Sequence, residues 1–160
     1  MVDVMIGQRM SDDPIRPQTL PVQRLHPDAV LPARAHAWDA GLDLVAIATV
    51  HLEPGARGVV ATGIAVAIPA GWAGLVVPRS GLARRHGITL TNSPGLIDAG
   101  YRGEVQILVI NHDRAPQTIS AGERVAQLVI VPVAIAEPME MDELPDSDGR
   151  GGGGFGSTGR

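Results

Sequence analysis

The sequence N-S-P-G-L-I-D-A-G-Y-R-G-E, residues 92–104, decides the predicted fold. It lies between G-I-T-L-T (87–91) and V-Q-I-L-V-I (105–110), two segments that are rich in β-branched residues and have the patterning of strands. Four residues that permit turns interrupt the stretch between them: Pro94, Gly95, Gly100 and Gly103. Residues 87–110 are therefore predicted to form an irregular β-hairpin whose long loop forms a small pocket.

Loops of this length are usually functional or disordered. Disorder is disfavoured here, because Leu96, Ile97 and Tyr101 are expected to be buried. In a cavity made from backbone, the edge of a flat polar ring can pair with strand N–H and C=O groups while Tyr101 lies against it. Asp98 would then face whatever lies beyond the ring. A plain surface connection is the alternative interpretation of the loop.

The composition favours a β protein with an aliphatic core. The chain has 160 residues, which suits one domain with a tail, and is 44% hydrophobic but only 2% aromatic. The core must therefore consist of Val, Ile, Leu and Ala. Cysteine is absent, which excludes disulfides and thiolate metal sites and fits a reducing compartment.

The charged residues limit the ligand classes. All 13 basic residues are arginine, which excludes lysine Schiff-base chemistry and a P-loop lysine and leaves arginine to bind any phosphate. A net charge of -4 argues against broad nucleic-acid binding, which needs a basic face. No apolar run reaches transmembrane length, and the N-terminal residues lack the pattern of a signal peptide. We therefore expect a cytoplasmic protein with neither nucleic acid nor membrane as partner.

The rest of the chain is predicted to consist of short strands joined by close turns, which indicates an all-β barrel or sandwich. Residues 58–69 divide into two strands at Thr62 and Gly63. Only 79–87 favours a helix, with Gly87 as its stop. The other predicted strands lie in residues 19–25, 40–47, 72–78, 87–91, 105–110, 117–119 and 124–136, the last interrupted at Pro132.

The two ends differ in composition from the predicted domain, residues 19–136. Residues 1–18 are expected to be a disordered extension, and residues 137–148 form an acidic, proline-containing linker to a glycine-rich end. A disordered tail is the simpler interpretation of that end. However, a guanidinium, two hydroxyls and unhindered backbone N–H groups can surround a polyphosphate, and a phenyl ring can cover a flat base. The residues concerned are Arg150, Phe155, Ser157 and Thr158.

Five blocks in this order resemble the trimeric dUTPases. They are A-G-L-D-L-V-A (40–46), P-R-S-G-L-A (78–83), the 92–104 stretch, G-E-R-V-A-Q-L (122–128) and R-G-G-G-G-F-G-S-T-G (150–159). Each block alone is a weak signal, whereas all five in order and spacing are specific. The resemblance covers residues 19–159. It implies a jelly-roll β-barrel with a flexible C-terminal arm, a homotrimer with sites shared between subunits, and Mg²⁺-dependent hydrolysis of dUTP to dUMP and pyrophosphate.

The resemblance also implies roles for the residues of the hairpin. Uracil enters the loop and pairs with backbone groups and Asn92, while Tyr101 packs on the deoxyribose and excludes a 2′-hydroxyl. Asp98 activates the water that attacks the α-phosphorus, which requires an acceptor within hydrogen-bond reach of that water. A turn-capping role is the alternative for Asp98. The remaining substrate-binding positions of the hairpin are Gly95, Leu96, Ile97 and Gln106, the last through its backbone.

Further positions correspond to phosphate contacts outside the hairpin. Arg79, Ser80 and Gly81 bind phosphate on a second subunit, Gln127 contacts the α-phosphate, and Arg150, Phe155, Ser157 and Thr158 belong to the closing arm. Arg79 and Gln127 could instead be ordinary surface residues. Asp43 orders the water shell of the metal or neighbouring arginines, or is simply structural. The Mg²⁺ itself is expected to be held mainly by phosphates and water.

Two rivals follow from the same fold. A dCTP deaminase shares the architecture, but its chemistry needs a glutamate four residues beyond Glu104, where this sequence has Leu108. A catalytically silent nucleotide-binding jelly roll is the other rival. The presence of Asp98, Tyr101 and the C-terminal block argues against it.

Overall fold

The computed structural model describes residues 19–145 and Ser147. The extension predicted at 1–18 and the arm at 149–160 lie outside the described residues. Within them, eleven strands and one helix follow in the order β1 Val22–Arg24, β2 Leu42–Val45, β3 Val50–Leu52, β4 Arg57–Ala61, β5 Ile64–Val66, β6 Trp72–Pro78, α1 Ser80–His86, β7 Ile88–Leu90, β8 Gly95–Ile97, β9 Gln106–Asn111, β10 Gln117–Ile119 and β11 Arg124–Pro132.

The strands form antiparallel sheets that pack around one core. The largest has the order β2-β11-β6-β8, a second has the order β4-β9-β7, and β1-β5 and β10-β3 are two-stranded. In the described part of the chain, hydrogen bonding is thus divided among four sheets and does not run round a closed barrel. The predicted all-β fold with one short helix is confirmed. No helix in the described part is long and apolar enough to cross a membrane.

The core is aliphatic, as the composition predicts. Its most completely buried side chains are Val60, Val109, Ile119, Ala126 and Leu128, each with 0% exposure. Burying a Val, Leu or Ile side chain stabilises a fold by roughly 1.5–3 kcal/mol. The partly buried Trp72 packs against this aliphatic core. Trp38, by contrast, lies on the surface with 98% exposure.

Most predicted elements agree with the structure. β6 has the predicted bounds, and Thr62 and Gly63 separate β4 from β5. Gly87 ends α1 in the left-handed region, and a Cβ on it would lie 2.7 Å from the backbone nitrogen of Asp113. β3 was not predicted, since its three residues include an exposed histidine. The strand run predicted to continue to residue 136 ends at Pro132.

The central hairpin is present but its loop differs from the prediction. β7 and β9 pair antiparallel, as expected. The loop between them contains β8, which leaves this sheet and pairs with β6, placing Leu96 opposite Leu75. Residues on β8 alternate between faces, so Ile97 is buried whereas Leu96 is 63% exposed. The prediction that Leu96 and Tyr101 are buried was therefore wrong, because Leu96 points to the outer face and Tyr101, at 46% exposure, lies on the loop surface.

Candidate active site

The loop that crosses between the two sheets encloses a cavity of about 270 Å³. Its size is at the small end for ligand pockets. The apolar part of the wall comes from all four neighbouring strands and includes Val76, Leu90, Ile97 and Ile107. Polar side chains of the loop and of β9 complete the wall, namely Asn92, Asp98, Tyr101, Glu104 and Gln106. The cavity wall therefore combines apolar side chains from four strands with polar side chains from the loop and the start of β9.

Gly95 leaves room for the Asn92 side chain in this wall. A Cβ on Gly95 would lie 3.2 Å from Nδ2 of Asn92 and 3.5 Å from Cβ of Val76. A side chain at residue 95 would thus crowd the amide of Asn92, whereas its Cβ would make an ordinary van der Waals contact with Val76. Gly95 and Leu96 also line the cavity through β8. The sequence prediction that Asn92, Gly95, Leu96 and Ile97 share one pocket agrees with this geometry.

Asp98 and Tyr101 lie at the rim of the cavity. The Tyr101 amide donates to the Asp98 carbonyl at 3.0 Å, which closes a turn that puts both side chains on the cavity wall. Asp98 is exposed, and no hydrogen bond or ion pair engages its carboxylate among residues 19–145. A turn-capping role would require such a bond. The carboxylate is instead available to accept a proton from a water molecule at the rim.

Gln106 also belongs to the cavity wall, at the start of β9. Its Nε2 donates to Oε2 of Glu104 at 3.1 Å. The side chain is thus engaged within the loop, and the expected contact of its backbone with a ligand stays a prediction.

A second group of polar residues surrounds Asp43, which is 7% exposed. Its Oδ1 lies 3.3 Å from Nε of Arg79 and accepts from Nε2 of Gln127 at 3.3 Å, while Oδ2 accepts from a guanidinium nitrogen of Arg124 at 2.9 Å. We call these four residues the Asp43 cluster. Two cations and one anion give it a positive balance. Such a cluster can bind a phosphate without lysine.

The strand register creates the Asp43 cluster. Asp43 on β2 lies directly opposite Gln127 on β11, and Ala126 lies opposite Pro78 at the end of β6. Arg79, the residue after Pro78, therefore lies beside the carboxylate at the N-cap of α1, and it also donates to the Arg124 carbonyl at 2.8 Å. Gly41 leaves room for Gln127, because a Cβ there would lie 3.0 Å from two of its side-chain carbons.

The structure separates the predicted site residues into two groups. The hairpin residues share the cavity, whereas Arg79, Ser80, Gly81, Gln127 and Asp43 do not contribute to its wall. Arg150, Phe155, Ser157 and Thr158 lie outside the described residues. Sequence reasoning missed Arg124, although it stands in the same block as Gln127 at the start of β11. Its half-exposed side chain contacts the Asp43 carboxylate directly.

The described residues contain no cluster of three or more His, Asp or Glu side chains that could hold a metal ion. Asp43 is already engaged by two guanidinium groups and an amide. Among the described residues of the cavity wall and of the Asp43 cluster, Asp98 is then the one carboxylate without a hydrogen-bond or ion-pair partner. This donor set fits a Mg²⁺ ion held mainly by a triphosphate and water rather than by protein carboxylates.

The family model of the dUTPases matches residues 28–159. The chain belongs to the dUTPase family. Curated dUTPase-family relatives are named deoxyuridine 5′-triphosphate nucleotidohydrolase. The Thermobifida fusca protein is 55% identical over 139 residues, which cover 86% of this chain and 77% of the relative. The Leifsonia xyli protein is 54% identical over 130 residues, which cover 81% and 85%.

Solved dUTPases have the same fold. A mutant of the dUTPase of Staphylococcus bacteriophage 80alpha with dUpNHpp superposes with a TM-score of 0.85 at 33% identity, over 90% of this chain and all (100%) of that one. A mutant dUTPase from phage phi11 of S. aureus, described as showing the coordination of a structural Mg(II) ion, gives a TM-score of 0.76 at 32% identity, over 81% of this chain and 100% of that one. The jelly-roll fold implied by the sequence resemblance is thus the fold of the dUTPase family.

Proposed function

We propose that the protein hydrolyses dUTP to dUMP and pyrophosphate, which limits the incorporation of uracil into DNA and supplies dUMP for dTMP synthesis. Membership of the dUTPase family supports this activity. The observation that carries the assignment to this site is the unpaired carboxylate of Asp98 at the rim of a cavity that also presents Asn92 and Tyr101.

In the proposed reaction, Asp98 accepts a proton from a water molecule as that water attacks the α-phosphorus. The new P–O bond forms while the bond from the α-phosphorus to the oxygen that bridges it to the β-phosphorus breaks. Pyrophosphate leaves with the electron pair of that bond. General-base assistance of this kind contributes roughly 10²–10⁴-fold to the rate.

Substrate selection follows from the cavity. Asn92 and the backbone of β8 pair with the edge of uracil, and the apolar floor of Ile97 and Ile107 lies against its face. Tyr101 at the rim packs on the deoxyribose and leaves no space for a 2′-hydroxyl. A buried polar group left unpaired costs binding energy, so a base with the wrong donor pattern is rejected.

The Asp43 cluster is the proposed binding site for the triphosphate. Arg79, together with the Ser80 hydroxyl and the Gly81 amide at the start of α1, contacts phosphate oxygens, and Gln127 contacts the α-phosphate. Asp43 acts by holding the two arginines in place. Mg²⁺, bound to the triphosphate and water, would neutralise charge that builds up on the phosphate oxygens.

The separation of the hairpin cavity from the Asp43 cluster favours an active site that is shared between subunits. The hairpin cavity and the Asp43 cluster have no wall residue in common. We propose a homotrimer in which the hairpin of one subunit faces Arg79, Ser80 and Gly81 of a second. The exposed apolar side chain of Val59 on β4, at 51%, would then be covered by a neighbouring subunit.

Residues 137–160 are the proposed linker and arm, following a domain of residues 19–136 and a disordered extension at 1–18. Arg150, Phe155, Ser157 and Thr158 would close over a bound nucleotide, so that bulk water is excluded while the γ-phosphate is fixed. We propose a cytoplasmic location, which the absence of cysteine fits.

The decisive test is incubation of the purified protein with dUTP, dCTP, dTTP or UTP and Mg²⁺, followed by phosphorus NMR. We expect pyrophosphate and monophosphate from dUTP and at most traces from the other three. Comparable turnover of dTTP or UTP would contradict the assigned specificity, and release of single phosphate would contradict attack at the α-phosphorus. Ammonia release from dCTP would instead indicate the deaminase.

A further inference from the structure

The position of the Tyr101 ring is set by few contacts. The side chain is 46% exposed, so packing alone does not fix it. Its hydroxyl donates to the backbone carbonyl of Glu104 at 2.9 Å, and its amide donates to Asp98 at 3.0 Å. The orientation of the ring therefore depends on where the carbonyl of Glu104 lies.

Gly103 determines how closely the ring approaches the backbone. A Cβ on Gly103 would lie 2.5 Å from Oη of Tyr101, 2.7 Å from Cζ and 3.1 Å from Cε2. The hydroxyl end of the ring thus lies close against the main chain at this residue. Any side chain at 103 must displace the hydroxyl end of the ring or the backbone, since these separations are well inside van der Waals contact.

Glu104 holds its own carbonyl in place through its side chain. Oε1 accepts from the Gly63 amide at 2.7 Å, and Oε2 accepts from Gln106 at 3.1 Å. Two more bonds tie the next residue to the same bend between β4 and β5: Thr62 Oγ1 donates to the Val105 carbonyl at 2.5 Å, and Val105 donates to Ile64 at 2.8 Å. The end of the loop is thereby fixed to the core.

We propose that Gly103 and Glu104 are positioning residues for sugar discrimination, which hold the Tyr101 ring where it excludes a 2′-hydroxyl. The bend at Gly63 holds Glu104, Glu104 holds the Tyr101 hydroxyl, and Gly103 allows the ring to lie against the backbone. This inference rests on the proposed function, in which Tyr101 contacts the deoxyribose.

The test compares kcat/KM for dUTP and UTP in Gly103→Ala, Glu104→Ala and Glu104→Gln. In Gly103→Ala and Glu104→Ala the ratio of kcat/KM for dUTP to that for UTP should fall about three- to tenfold, the effect expected when a neutral hydrogen bond that fixes a side chain is lost. Glu104→Gln should retain most of the discrimination, because its amide oxygen can still accept from Gly63. A merely structural role would lower the melting temperature without changing the ratio.

Asp113→Ala is the matched control. Asp113 also binds its own loop, accepting from Arg114 at 2.6 Å, Ala115 at 3.3 Å and Gln117 at 3.3 Å, but it does not line the cavity. The Asp113→Ala substitution should lower the melting temperature and leave the ratio of kcat/KM for dUTP to that for UTP unchanged. An equal change of ratio in this control would overturn the proposal.

A double-mutant cycle covers the case in which Gly103→Ala does not fold. Tyr101→Phe removes the hydroxyl, so its effect on the ratio and that of Glu104→Ala should overlap rather than add. Additive effects, or an unchanged ratio in folded Glu104→Ala, would contradict positioning through Glu104. A wild-type protein that does not turn over dUTP would instead refute the proposed function itself.

Discussion

Nε of Arg79 lies 3.3 Å from Oδ1 of Asp43, so the residue that precedes α1 is held by a carboxylate from the middle of β2. Asp43 is nearly buried, whereas the Arg79 side chain keeps 24% of its surface exposed. The carboxylate thus orients a cation without hiding it. A phosphate-binding arginine needs such an arrangement, because a free guanidinium would lose side-chain entropy on binding.

Replacing Asp43 with Asn should therefore weaken triphosphate binding. The change preserves shape but removes the charge that holds Arg79 and Arg124 side by side, so the two cations repel and lose their orientation. We expect kcat/KM for dUTP to fall about tenfold, mainly through KM, which is the effect of losing a hydrogen bond to a charged group. Steady-state kinetics measure it. Asp28→Asn, at an exposed carboxylate, is the control, and an unchanged KM for Asp43→Asn would contradict the role.

Replacing Asp98 with Asn should separate binding from chemistry. The amide fills the same space at the cavity rim but cannot take a proton from water. Turnover should fall by roughly 10²–10⁴-fold, while calorimetry should still detect binding of dUTP. Near-normal turnover would remove Asp98 as the general base, and loss of binding would place it among the binding residues instead.

Several strands and the helix could be predicted from the sequence because turn-forming residues mark where each begins or ends. Trp72–Pro78 follows a turn at Pro69 and Gly71, and α1 ends at a glycine with φ 59°. The crossing of β8 to β6 could not be predicted, since three residues within a loop do not indicate which sheet they join. The exposure of Leu96 follows from the pairing of β8 with β6, so it could not be predicted either.

The candidate site likewise has a part that lies within one segment of the sequence and a part that depends on strand pairing. Asn92, Asp98 and Tyr101 lie within ten residues of one another, so their shared cavity follows from one loop. Arg124 and Gln127 meet Asp43 across separations of 81 and 84 residues, and only the register of β11 on β2 brings them together. The composition leaves arginine to bind any phosphate, but it does not indicate which arginine shares a carboxylate.

Asn111 should be important for stability. It is fully buried, its Nδ2 donates to the carbonyls of Leu52 and Ala115 at 3.0 and 2.9 Å, and its Oδ1 accepts from the Asp113 amide at 2.8 Å. Asn111→Ala removes all three bonds, of which the bond to the Leu52 carbonyl is buried and the other two are partly buried. The free energy of unfolding should fall by about 2–4 kcal/mol in denaturant titrations. The control Gln23→Ala, at an exposed residue, should change it by less than about 0.5 kcal/mol, and a similarly small loss in Asn111→Ala would contradict the account.

Deleting residues 149–160 should reduce turnover sharply without changing the oligomeric state. The deletion removes Arg150, Phe155, Ser157 and Thr158, which are proposed to close over the nucleotide, but leaves every strand of the described core in place. Sedimentation measures the assembly, and single-turnover kinetics measure the chemical step. An unchanged rate would show that the tail is passive.

Mixing two inactive variants tests whether sites are shared between subunits. Asp98→Asn subunits keep the arm but lack the base, and subunits without residues 149–160 keep the base but lack the arm. If the arm of one subunit closes over the cavity of another, co-refolded mixtures contain some sites with an intact Asp98 and an intact arm, and activity should partly return. If each arm serves its own cavity, no mixture can contain such a site. Activity that stays at the level of the separate variants, with mixed assemblies verified by mass, would therefore exclude the shared geometry while leaving Asp98 as the base.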